Sequence, residues 1–93
     1  MSTFGSGMTV RSKKACVVYD AQSGQVCHVH RVVTFEGGRE PNENAIAADA
    51  LLAFHGAHPG RHGAFETLHV DDAAVEPGKK YRVDVGKKAL VDT

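Results

Sequence analysis

The side chains of this chain with most capacity for chemistry cluster near its start: Cys16, then Cys27, His28 and His30. In an extended strand, successive side chains alternate between faces. His28 and His30 therefore project to the same side, close enough to share a metal ion or an anionic ligand. Imidazole with thiolate suits Zn²⁺ or another borderline divalent transition metal, so His28 and His30, with Cys16 as an additional donor, form the candidate metal site. No Asp or Glu lies nearby in sequence, so any other ligand would come from His55, His58, His62 or His69. The competing expectation is a half-exposed strand pair packed beside Val26, Val32 and Tyr19, with no cofactor.

The hairpin carrying these residues decides between the two. Ala15–Asp20 and Gln25–Phe35 are rich in β-branched and aromatic residues, and they flank Ala21-Gln22-Ser23-Gly24, a turn whose Gly suits the left-handed position that closes a four-residue loop. Such a loop sets Asp20 opposite Gln25, and a regular ladder then sets Cys16 opposite Val29 and Cys27 opposite Val18. Cys16, Val18, Cys27, Val29, Val33 and Phe35 would share one face with Arg31 and make the better core. Val17, Tyr19, Val26, His28, His30 and Val32 would share the other. The cysteines become diagonal neighbours about 7–8 Å apart, at or beyond the reach of an unstrained disulfide, and read as small buried hydrophobes. A loop of three or five residues reverses the parity and brings Cys16 to the face of His28 and His30.

Other chemistry is weakly signalled. His55, His58 and His62 have helical spacing, but Gly56, Pro59 and Gly60 interrupt them. There is no Gly-x-Ser-x-Gly elbow, and neither Cys has a neighbouring base at a helix start. Gly37-Gly38 fits no phosphate-loop pattern and reads as a turn, with Glu36, Glu40 and Glu43 around it. The pattern favours a protein that is not an enzyme.

The elements that would position these residues follow from periodicity. Residues 1–12, rich in Ser, Thr and Gly, read as a flexible N-terminal arm, and 13–93 as a single α+β domain. After the hairpin, a helix is expected from Pro41 or Asn42 to about His55, stopped by Gly56, with Ile46, Ala47, Ala50, Leu51, Phe54 and Ala57 on one stripe. Leu52, between alanines on the opposite face, suggests a helix-to-helix dimer contact. Phe65–Val70 alternates as a strand, Asp71–Gly78 makes a capped helical turn and a β-turn, and Tyr81–Val85 with Lys88–Asp92 forms a second hairpin about Gly86-Lys87. The order β-β-α-β-β-β predicts one mainly antiparallel sheet of four to five strands with the helix packed on one face.

Composition narrows the function classes. The chain has 93 residues, equal numbers of acidic and basic side chains, six His and no Trp. A domain this small builds one thin core with no room for a deep cofactor cavity. Zero net charge argues against a general nucleic-acid or membrane-surface binder. The zero is a cancellation, however: residues 1–31 carry a surplus of three positive charges, 32–76 a surplus of six negative, and 77–93 again three positive. If the terminal hairpins are neighbours, Lys13, Lys14, Lys79, Lys80 and Arg82 form a basic edge, the basis of a nucleic-acid reading that has only Tyr19 and Tyr81 for base stacking. The chain shows no membrane span or secretory apolar block, and few cysteines, which predicts a cytoplasmic protein with free thiols. The expected function is a small interaction or accessory module that binds a protein partner or itself, as a homodimer.

Overall fold

The computed structural model describes residues 9–93. Most of the expected N-terminal arm lies outside the described residues. Strand β1 (Val10–Asp20) begins three residues before the expected domain start and pairs antiparallel with β2 (Val26–Phe35) through the loop Ala21–Gly24. The Asp20 amide donates to the Gln25 carbonyl at 2.9 Å, and the Asp20 carboxylate accepts from the amides of Gln22 at 2.8 Å and Ser23 at 3.1 Å. These bonds satisfy the turn internally and hold the Asp20 carboxyl below its ordinary value.

Helix α1 (Glu43–Ala57) starts where expected: the Asn42 side chain accepts from the Ala45 amide at 2.8 Å, and Glu43 lies in the first turn. It does not stop at Gly56. The His58 amide donates to the Phe54 carbonyl at 2.9 Å, so the last turn closes one residue later and tolerates a glycine inside it. Ile46, Ala50 and Phe54 are buried at helical spacing, with Ala47 and Leu51 partly covered beside them. Ala57 is exposed.

Strand β3 (Phe65–Asp71) returns antiparallel along the other edge of β1, which makes β1 the centre of a three-stranded sheet in the order β2-β1-β3. A single 3-10 turn (Asp72–Ala74) follows where the helical turn is expected, but the Asp71 side chain at its start makes no capping hydrogen bond. Strands β4 (Tyr81–Asp84) and β5 (Ala89–Asp92) form the second hairpin. Its turn spans the four residues 85–88 rather than Gly86-Lys87, with Lys88 in the left-handed region at φ 52°.

The fold is α+β, but the single sheet expected from the strand count is split into sheets of three and two strands. The reason lies in β1. Ala15, Cys16, Val17, Val18 and Tyr19 are all buried, so both faces of the central strand need cover. α1 covers the face bearing Cys16 and Val18, while β4–β5 and Val75 cover the face bearing Ala15, Val17 and Tyr19. The second hairpin packs across the sheet instead of extending it. One bridge, Gln25 with Arg82, links the two sheets.

Candidate functional site

The ladder between β1 and β2 contains an irregularity that controls the reactive residues. Tyr19 pairs with Val26, as a four-residue loop requires, but Val18 pairs with His28, leaving Cys27 as an extra residue in β2. This β-bulge shifts every later pair by one residue. Cys16 consequently faces His30, and Val17 faces Val29. The loop length predicted from the sequence is correct, yet the facing derived from a regular ladder is not: Cys16, Val18, His28, His30 and Val32 share the helix-covered face, whereas Val29, Arg31, Val33 and Phe35 stand on the other. On β1's other edge Cys16 pairs with His69, so this central thiol lies between two strand histidines. Cys16 is fully buried, which pushes its thiol above the ordinary value, and both cysteines are free.

The rings of His28 and His30 stack loosely, with centroids 6.4 Å apart and planes inclined by 29°. Around Phe54 the sheet and the helix end converge: the ring lies 6.5 Å from His28, 5.3 Å from His55, 5.3 Å from His58 and 4.8 Å from Phe65. The Arg61 guanidinium sits 6.0 Å from Phe54 and 5.6 Å from Phe65, and its Nη2 donates to the Cys27 sulfur at 3.6 Å. Burial, then His30, then His58 lowers the basicity of His28. Among the described residues, no group of three or more His, Cys, Asp or Glu side chains is placed to hold one metal ion. His62 lies exposed in the loop.

The cations of the expected basic edge are divided between the two sheets. Lys14 pairs with Glu40 at 2.9 Å, Lys79 with Glu76 at 2.7 Å and Asp92 at 3.7 Å, and Arg82 Nε donates to the Ser23 carbonyl at 3.0 Å. Lys13 stands opposite Val33 in the three-stranded sheet, whereas Lys79 and Lys80 immediately precede β4 of the two-stranded one.

The feature that sequence reasoning located only in general terms is the edge of the larger sheet. β2 is an outer strand of ten residues, and among the described residues its only pairing on the free side is the bridge at Gln25. Between Val26 and Phe35 it carries a single formal charge, Arg31, which is bound to Asp72 and to the Val75 carbonyl (3.1 Å). Val33, 46% exposed, and Phe35, 40% exposed, share the face opposite α1 with Val10, Phe35's partner on β1. Beside β2, Val26, Val29, Val75, Tyr81 and Lys80 line an open groove of about 400 Å³. Leu52 is also exposed, at 74%, but none of the other large exposed apolar side chains lies on α1.

Comparison with known proteins finds no matching family model, curated protein or solved structure. Among the described residues, no helix is long and apolar enough to cross a membrane.

Proposed function

We propose that this protein is a small interaction module whose binding element is the outer edge of β2, to which an extended strand of another polypeptide adds. The observation that carries the reading is a ten-residue edge that is unpaired among the described residues, with one charge, no Pro and two exposed large apolar side chains. Edge strands that must stay solitary are usually blunted by Lys, Pro or an inward-facing charge, because each unpaired amide and carbonyl is a template for another strand. Main-chain bonds supply affinity in strand addition, and alternate side chains supply selectivity. The bulge at Cys27 and the bridge at Gln25 close the inner end, so pairing is available from His28 outward.

Amide hydrogen exchange on the dilute protein tests the reading. β2 amides bonded to β1 should be protected and the alternating outward-facing amides should exchange freely. Uniform protection along β2 in the monomer would mean that the edge is already closed, and would end the proposal.

A second reading, binding of Zn²⁺ or a similar ion by His28 and His30 with Cys16, is supported by the bulge that brings all three to one face. It would require side chains to turn from their stacked arrangement and buried Cys16 to become accessible. A melting temperature unchanged by excess Zn²⁺ would exclude it.

A further inference from the structure

We propose that the strand added to β2 is the β2 of a second copy of this chain, paired antiparallel about a two-fold axis at Val32. The inference rests on the reading of β2 as a binding edge, and it follows from how β2 complements itself. With Val32 opposite its own copy, Val29 stands opposite Phe35, Arg31 opposite Val33, and His30 opposite Thr34. No charged residue faces its like, and an aromatic side chain meets a β-branched one on the face opposite α1, a favourable cross-strand pair. The exposed Phe35 of one copy thereby arrives at Val29 of the other, where Val26, Val29, Val75 and Tyr81 line the open groove. An exposed aromatic and an apolar groove at the same register position on one surface are the ingredients of an isologous hot spot, used twice by the two-fold.

Neighbouring two-fold registers fit less well. Centred on Arg31, the pairing sets that cation against its own copy and Phe35 against the bulged Cys27. Centred on His30, it sets imidazole against imidazole and requires Phe35 to reach Gln25, where Arg82 is already bridged. Centred on Val33, it leaves Phe35 opposite Arg31 and away from the groove. The Val32 register would join two three-stranded sheets into one of six, with β3 at each outer edge.

Disulfide trapping tests the arrangement. In a Cys27→Ser background, Val32→Cys and Leu52→Cys are oxidised in parallel. Residues directly opposite in an antiparallel pair have Cα atoms about 4.5–5.5 Å apart, within disulfide range. Val32→Cys should therefore form a covalent dimer roughly tenfold or more faster than Leu52→Cys, through its higher effective concentration. Equal rates, or faster trapping at position 52, would overturn the proposal. Phe35→Ala supplies a check independent of folding at position 32: it should weaken self-association by roughly tenfold or more while leaving the melting of dilute protein unchanged. Unchanged self-association would also overturn it. If both tests fail while the outward amides of β2 exchange freely in the monomer, the edge is open but its occupant is a different chain. If those amides are protected in the monomer, the binding-edge reading fails first.

Discussion

The carbonyl of Gly24 accepts a 2.8 Å hydrogen bond from the amide of Val83, and this contact fastens the second hairpin to the first. Gly24 adopts φ 80°, and a Cβ placed there would lie 2.0 Å from the Val83 carbonyl oxygen. Gly24→Ala must accept a left-handed backbone and a collision with backbone that cannot swing away. It should cost at least about 2 kcal/mol. Urea denaturation measures the loss, and resonances of β4 and β5 should move more than those of α1. Stability within error of the parent would show that the two hairpins are not joined here.

Phe54 and Leu52, two residues apart on α1, should behave oppositely. Phe54 is fully buried under β1 and β2, whereas Leu52 is exposed. Phe54→Ala should cost about 3–5 kcal/mol, enough to unfold much of so small a domain. Leu52→Ala should stay within about 0.5 kcal/mol. Chemical denaturation of the pair checks both values, and a large loss from Leu52→Ala would place a partner on the helix.

Stability should fall in mild acid because of His28. Burial first, then His30 and His58, holds its folded basicity below the ordinary value of 6.5. The folded state then binds fewer protons than the unfolded one, so this contribution is fully present above the ordinary value and is lost as pH falls through the folded value. The carboxyls of Asp20 and Glu40, lowered from 3.8 and 4.5, act in a more acidic window. The urea midpoint should therefore drop between about pH 7 and about pH 5, and His28→Asn should flatten the drop. A midpoint that rises or stays level in the parent protein would contradict this.

Val33→Lys places a charge on the open edge without touching the core. Val33 is 46% exposed but stands opposite Lys13 on β1, so the pair of like charges should cost about 0.2–1 kcal/mol. Self-association should be strongly weakened, because an edge lysine opposes strand addition. Size-exclusion chromatography at matched concentrations reads the difference, and an unaffected elution position for a dimeric parent would move the interface elsewhere.

The local parts of the fold were legible in the sequence because local chemistry decides them. Asp20 and Gly24 declare the loop, Asn42 declares the helix start, and Ile46, Ala50 and Phe54 declare its buried face. The site was legible only as a set of residues. A single extra residue at Cys27 left no mark in the pattern, yet it turned Cys16 from Val29 to His30. The split of the sheet did have a signal: the uninterrupted apolar run Ala15–Tyr19 is what a strand covered on both faces requires, and alternation describes it poorly. What no local pattern could supply is the approach of Gly24 to Val83, or the gathering of His28, His55, His58 and Arg61 around Phe54, since both depend on elements distant in the chain.

Sedimentation equilibrium of the full chain, from low micromolar to several hundred micromolar, tests most directly the claim that β2 is a binding edge used by a second copy. The account predicts a mass that rises from 9.9 kDa towards twice that value with concentration, and a Phe35→Ala variant that stays near the lower limit over the same range. A parent protein that remains at 9.9 kDa throughout would contradict it.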